Sequence, residues 1–495
     1  MTTYLMGLDS GLTVTKAVIF REDGSVVATG KCGVPQIKDR PHFVERDMEA
    51  HWHAVAQAIR EALTLAAEAE GQRVMPSAVS VSGHGDGVYL IDREGQPLGL
   101  AATSLDSRAQ KIVEEWDADG TSDKALSLTG QRPFPAAPSS LLAYWKRNEP
   151  ERYAAIGSIL SCKDWMRFAL TGKAATDFTE SSVSFVDVKT QKYSDEALAL
   201  YDLTEMRHAL PEVLLPNEVA GYVTVEAAAL TGLDEGIPVA TGLHDVIACA
   251  VGAGVTGSGT LAVIAGTYSI NEQFRDKPET HPDWLCRNGL YPGQWYNMSI
   301  SPASSATLDW FLGQTAKDAL ATDDPFGLLQ AELDAVAVDP SEVIYLPYLY
   351  GSPHRNDVPG SFIGMRGWHN RGHLLRAVGE GIAFNHRHHV DILDPERTTE
   401  HLRLTGGSSR NPYFAQIFAD AMNRKIEVPE TMETGALGAA ICAGLAIGTY
   451  SDWADAAART SSTTLTYEPD AQRLSAQWAR YQEAARTIAA LHERI

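Results

Sequence analysis

Tyr4-Leu5-Met6-Gly7-Leu8-Asp9-Ser10-Gly11-Leu12-Thr13-Val14-Thr15-Lys16-Ala17-Val18-Ile19-Phe20 is the stretch from which the rest of the chain can be read. An apolar run, Tyr4–Asp9, ends at Ser10-Gly11, and a second, Thr15–Phe20, leaves it. Asp23-Gly24 is a turn signal before a third run, Ser25–Lys31, so the first thirty residues read as a meander. Gly11 lets the backbone turn sharply and come close to a ligand. Asp9, at a strand end, can hold a hydrated Mg²⁺, while Thr13 and Lys16 can contact phosphate oxygens as neutral donor and cation. A plain hairpin turn uses the same residue types. The P-loop spacing, Gly-x-x-x-x-Gly-Lys-Ser/Thr, is absent.

Further along, a helix is predicted from about Asp47 to Glu70, with Trp52, Val55, Ile59 and Leu63 on one face. The strand Ala78–Ser82 ends in Gly83-His84-Gly85-Asp86-Gly87, and Val88–Asp92 follows. From about Lys111 to Asp234 the chain reads as mostly helical and polar, cut by Pro133, Pro135, Pro138 and Pro211. Ile237–Gly242 reads as a buried strand that delivers His244-Asp245 to the head of an Ala-rich helix. The opening pattern then recurs: Gly259–Ala265 ends at Gly266-Thr267, and Ile270–Phe274 can return beside it. A strand at Val343–Pro347, a helix at Gly372–Leu393 and a strand His401–Thr405 ending in Gly406-Gly407-Ser408 come next. Helices are expected from near Pro412, from near Gly435 and over Asp470–Glu493. The repeated device implies two related α/β domains, 1–255 and 256–495, with ligand bound between them.

Composition narrows the function. The 495 residues carry a formal charge of −22, spread along the chain, which disfavours nucleic acid and anionic membrane as partners. An anion site built from backbone N–H groups, one local cation and Mg²⁺ remains open. Five scattered cysteines without Cys-x-x-Cys read as reduced thiols, the N-terminus has no signal-peptide pattern, and no apolar run is long enough to span a bilayer. A cytoplasmic setting is expected.

Gly242-Leu243-His244-Asp245 places a carboxylate where it can take a hydroxyl proton and aim the oxygen at phosphorus, although Asp is equally a favoured helix N-cap. In order along the chain, these segments resemble the FGGY family of carbohydrate kinases, which share a duplicated actin/hexokinase-like (ribonuclease H-like) fold. The most specific piece is Gly360-x-Phe362-x-Gly364-Met365, followed by His373-Leu374-x-x-Ala377-Val378 and Glu380; Gly379 departs from the apolar residue usual there. Phe43-Val44-Glu45-Arg46-Asp47, Leu105-Asp106-Ser107-Arg108 and Glu433-Thr434-Gly435-Ala436-Leu437-Gly438-Ala439-Ala440 also match. The resemblance implies ATP and Mg²⁺, with Asp9 (through water), Gly11, Thr13, Lys16, Gly266 and Thr267 around the phosphates. Gly406, Gly407, Ser408 and Asn411, with Ser305 and Leu308, would line the nucleoside site. Asp245 would be the catalytic base, and His84, Asp86 and Asp106 would meet the sugar. Leu12, where many relatives have a small or hydroxyl residue, and the bulky Tyr268 depart from the pattern. A homodimer and an interdomain catalytic cleft are implied as well.

The turn at Gly83–Gly87, with Leu90-Ile91-Asp92 and Leu98-Gly99, looks most like the L-xylulose (3-keto-L-gulonate) kinases and the erythritol kinases. The expected acceptor is a four- or five-carbon ketose or polyol, L-xylulose first. The alternatives are an actin-like-fold ATPase without a sugar acceptor and a sugar sensor without kinase activity. Asn385-His386-Arg387-His388-His389 has the look of a metal cluster but lacks fitting Cys or carboxylate spacing, and Trp284 and Trp295 are expected to pack.

Overall fold

A computed structural model describes residues 3–336, 341–353, 358–461, 464–470, 472–492 and 494. The chain divides into two compact units that are not contiguous in sequence. The first comprises Met1–Thr256, Phe274–Asn297 and Glu433–Ser462, the second Gly257–Gln273, Met298–Met432 and Thr463–Ile495.

One sheet runs in the order Val219–Tyr222, Pro238–Ala240, Ala78–Gly83, Tyr4–Ser10, Val14–Arg21, Val26–Gly33. Its pairings are antiparallel, parallel, parallel, antiparallel, antiparallel. In the second sheet, six strands run Thr464–Tyr467, Ile426–Pro429, His401–Thr405, Thr260–Ala265, Ser269–Arg275, Trp295–Ser301. Their first four pairings repeat the sequence antiparallel, parallel, parallel, antiparallel. The recurrence seen in the two apolar hairpins is therefore a recurrence of whole topology.

The strand Tyr4–Ser10 is buried along nearly its whole length, which is why it reads as a continuous apolar run. Alternation still sorts its side chains. Tyr4, Met6 and Leu8 join Val55, Ile59 and Ala62 of the helix Met48–Glu70 in one core. That helix is capped by Asp47, whose side chain accepts from the Ala50 amide, and ends at the left-handed Gly71. Trp52 and Leu63, expected on the inner stripe, are partly buried at its margin. The opposite face meets the helix Thr434–Ala446. A Cβ at Gly7 would lie 1.8 Å from the carbonyl oxygen of Ala436, so strand and helix touch backbone to backbone. A Cβ at Gly438 would lie 2.0 Å from the carbonyl oxygen of Ala248, which brings the helix Asp245–Gly252 into the same layer.

Several strands escape a reading by hydrophobicity. Trp295–Ser301 carries Asn297, Ser299 and Ser301 inside the protein, where polar residues disguise a buried strand. Val219–Tyr222, Leu285–Asn288, Ile426–Pro429 and Thr464–Tyr467 are too short to stand out. The last helix begins at Ser475, later than expected: the Asp470 amide donates to Asp420, and residues 472–474 form a turn ahead of the helix. No described helix is long and apolar enough to cross a membrane.

Gly438→Ala is expected to cost about 1–3 kcal/mol, since the new methyl meets backbone rather than a side chain that can swing away. Urea unfolding measures it, and a change below a few tenths would contradict the packing described.

Candidate active site

Asp9 and Lys16 are register partners across the first hairpin. Asp9 lies on the same face of its strand as Gly7, and a Cβ at Gly435 would sit 2.7 Å from Asp9 Oδ2. Ser10, facing the other way, is 2.7 Å from Nε2 of the buried His51. Gly11 closes the turn by donating to the Val14 carbonyl at 3.0 Å. A Cβ there would meet only that oxygen, at 3.5 Å, so the fold itself leaves room for a side chain at this position. Thr13 is exposed. Lys16 Nζ contacts Glu433 Oε2 at 2.6 Å, and Lys31 lies 4.0 Å from the other oxygen of that carboxylate. Burial raises the Asp9 carboxyl to about 7, assisted by the charges of Asp245 and Glu433 and opposed by Lys16. Crowded carboxylates of this kind gain from a divalent cation, and Asp9 fits the expected role of holding hydrated Mg²⁺.

Arg46 is a participant that sequence reasoning quoted only as part of a motif. It is fully buried, and among the described residues no carboxylate lies within ion-pair distance of it. Its Nη2 donates to the carbonyls of Gly11 at 3.1 Å and Leu12 at 2.6 Å, and Nη1 donates to Tyr89 Oη at 3.2 Å. Carbonyl and following N–H point in opposite directions across a trans peptide, so the amides of Leu12 and Thr13 are turned away from the guanidinium. A buried positive charge thus braces the turn while leaving its donors for a ligand. Nothing in the spacing of Arg46 from residues 11 and 12 signals this contact.

The second element of the site is Asp245, the first residue of the helix Asp245–Gly252. The N-cap position belongs to His244, so the capping alternative does not describe Asp245. Its side chain is 31% exposed, with Oδ1 accepting from the Val246 amide at 2.7 Å and lying 3.2 Å from His244 Nδ1. Burial pushes the carboxyl up, but the contact with His244, aided by His84 and the Val246 amide, outweighs it, and the net shift is downward. Asp245 is therefore a carboxylate at neutral pH, able to accept a proton.

The sugar-side residues differ in what they leave free. His84 is buried, with Nε2 3.0 Å from Tyr89 Oη and Nδ1 3.3 Å from the Gly85 carbonyl. Burial, then Arg46, lowers its pKa to about 4. Asp106 is saturated: it accepts from the amides of Val44 and Arg108 and from Nε and Nη2 of Arg108. The polar atoms of both side chains are engaged by the protein itself. Asp86, at φ 59°, accepts from Arg287 Nη2 at 3.2 Å through Oδ1 and keeps 21% of its side chain exposed.

The second unit gathers most of the expected nucleotide residues. Gly266 and Thr267 form its hairpin turn, and the Ser305 amide donates to the Gly266 carbonyl at 2.9 Å, at the start of the helix Ser305–Thr315. Leu308, one turn on, is partly buried. Gly406, at φ 96°, packs where a Cβ would meet Ala265 at 2.5 Å, and a Cβ at Gly407 would meet nothing within 4 Å. Asn411 caps the helix Pro412–Met422 and donates to Gln330 Oε1. The side chain of Ser408 lies outside the described residues. His386 and His389 contact Asn271, Ser304, Ser299 and Ser301, a buried polar network beneath the strand Trp295–Ser301. No group of three His, Cys, Asp or Glu suited to a metal occurs among the described residues. Trp295 is buried and donates to the Val188 carbonyl, and Trp284 stacks on His281.

Two units on one duplicated sheet plan, one bearing an acid-flanked hairpin turn and a separate ionised carboxylate, fit a phosphotransferase of the actin/hexokinase-like class. The chain belongs to the FGGY family of carbohydrate kinases: the N-terminal domain of that family matches residues 4–252 and the C-terminal domain residues 252–447. It is 33% identical to the L-xylulose/3-keto-L-gulonate kinase of Escherichia coli (strain K12), over 100% of this chain and 99% of that protein. It is 28% identical to the erythritol kinase of Brucella abortus (strain 2308), over 99% and 97%. The crystal structure of xylulose kinase from Rhodospirillum rubrum is similar with a TM-score of 0.88 at 27% identity, covering 99% of this chain and all of that one.

Two outcomes follow from the electrostatics of the first hairpin turn. Folding raises the Asp9 carboxyl from its ordinary 3.8 to about 7, so the native chain binds more protons between those values and loses stability as pH climbs through them. Without nucleotide, Asp9→Asn is expected to melt above the wild type at pH 8 and by a smaller margin at pH 5; a variant less stable at pH 8 would contradict the placement. Arg46→Gln is expected to weaken Mg-ATP binding by roughly tenfold, the worth of a charged hydrogen bond, with sugar affinity unchanged by calorimetry.

Proposed function

We propose that this kinase transfers the γ-phosphoryl group of ATP to a hydroxyl of L-xylulose or a closely related pentulose. The observation that carries the reading is the ionised, partly exposed Asp245 carboxylate in the same unit as the Asp9–Lys16 turn. End-to-end similarity to an L-xylulose/3-keto-L-gulonate kinase supports the choice of acceptor.

Asp245 accepts the proton of the acceptor hydroxyl as that oxygen attacks the γ-phosphorus, the bond to the bridging β,γ-oxygen breaks, and ADP leaves. Asp86 accepts a hydrogen bond from a sugar hydroxyl. Lys16 is shared between Glu433 and the phosphate, and the turn amides braced by Arg46, with Thr13, donate to phosphate oxygens. Asp9 would hold Mg²⁺ through water, and the ion would supply charge neutralisation for the transferring group. Gly266, Thr267, Ser305, Leu308, Gly406, Gly407, Ser408 and Asn411 bind the remainder of the nucleotide. Five free cysteines fit work in the cytoplasm.

The test is ADP release with Mg-ATP across C3–C6 ketoses and polyols, including both xyluloses, ribulose, erythritol, ribitol and glycerol. L-Xylulose is expected to raise release most. Preference for erythritol would move the acceptor to the polyols, and release indifferent to every compound would mark an ATPase. Asp245→Asn is expected to bind both substrates and lose 10²–10⁴-fold in kcat, the usual worth of a positioned base.

A further inference from the structure

Arg287, in the strand Leu285–Asn288 of the first unit, is a buried cation with its side chain only 2% exposed. Each guanidinium nitrogen donates to a different segment: Nε to Gln131 Oε1 at 2.9 Å, Nη1 to His244 Nε2 at 3.0 Å, Nη2 to Asp86 Oδ1 at 3.2 Å. A guanidinium has no lone pair and does not lose its proton in proteins. Nε2 of His244 must therefore be the acceptor, and the ring proton sits on Nδ1, 3.2 Å from Asp245 Oδ1. The imidazole has little freedom to leave. A Cβ on Gly85 would fall 2.0 Å from Nε2, and the His244 amide donates to Thr179 Oγ1 at 3.1 Å.

We propose that Arg287 is a positioning residue for the proton transfer: it fixes His244 as the neutral Nδ1–H tautomer, so that His244 orients the Asp245 carboxylate without an added positive charge, and it ties that setting to the sugar-side turn through Asp86. The proposal rests on the reading of Asp245 as the base. An imidazolium at His244 would stabilise the ionised carboxylate and make it a weaker proton acceptor. Burial opposes a charge on the ring, the carboxylates of Glu180 and Asp245 favour it strongly enough to raise its pKa, and Arg287 opposes it. The neutral His84 also faces Asp245. Only the Arg287 contact is incompatible with a proton on Nε2, and it decides the tautomer.

The experiment compares kcat from pH 6 to 9.5, with Mg-ATP affinity by titration, for wild type, Arg287→Met, His244→Asn, the double variant and Asp245→Asn. Arg287→Met is expected to lose at least about tenfold at pH 7 and regain it toward alkaline pH as His244 deprotonates, with Mg-ATP affinity kept within about twofold. Asparagine at 244 can accept from Arg287 and donate to Asp245 without titrating, so the double variant is expected to lose that acidic limb. A pH-independent loss in Arg287→Met, a profile like the wild type's, or an acidic limb that survives in the double variant overturns the proposal. Should Arg287→Met fail to fold, Arg287→Gln gives the same comparison, since an amide can accept from a protonated Nε2 as readily as it donates to a bare one. Near-normal turnover in Asp245→Asn would instead remove the base assignment itself, whatever the Arg287 profiles show.

Discussion

The backbone contact between the strand Tyr4–Ser10 and the helix Thr434–Ala446 is the constraint on which the first unit's chemistry depends. No side chain separates them at Gly7, so the head of the helix is drawn onto the strand's far end, where Gly435 abuts Asp9 and Glu433 reaches Lys16. The same helix touches the Asp245 helix through Gly438. Residues more than four hundred positions apart are thereby held at hydrogen-bonding range by the absence of three Cβ atoms rather than by any strong pair.

What that constraint assembles is an excess of negative charge under partial burial. Burial and then the charges of Asp245 and Glu433 raise the Asp9 carboxyl, and Lys16 offsets only part of it. Two arginines act from behind this cluster in different ways. Arg46 grips carbonyl oxygens and so aims amides; Arg287 grips a ring nitrogen and so sets a tautomer. Neither has to meet a substrate to matter. The site is preorganised by cations already held in place by hydrogen bonds to the protein, which spares the reaction the reorganisation that loose side chains would require.

The hairpin at residues 4–20 and its echo at 259–274 were legible because buried strands flanking a Gly-containing turn produce an unmistakable apolar pattern. Asp245 was legible from its place at a strand-to-helix junction. Three things were not. Trp295–Ser301 hides its burial behind an asparagine and serines, of which Ser299 and Ser301 both meet His389 about ninety residues away. Asp106 and His84 look available in sequence, yet every oxygen or nitrogen they own is committed to neighbours. Arg46 and Arg287 carry no local signature, because what they bind is main chain or a distant ring. Sequence patterns report which residues could do chemistry; they do not report which of those are already spent.

The interrupted make-up of the first unit has a consequence for synthesis. Its third segment, Glu433–Ser462, supplies the helix that covers Gly7, yet it leaves the ribosome more than four hundred residues after that strand. At roughly 5–20 residues per second the nascent chain spends tens of seconds with that face of its opening sheet bare. Premature termination upstream of residue 433 would produce a polypeptide retaining the apolar strands without their cover, a species for chaperones and proteases rather than a smaller working enzyme.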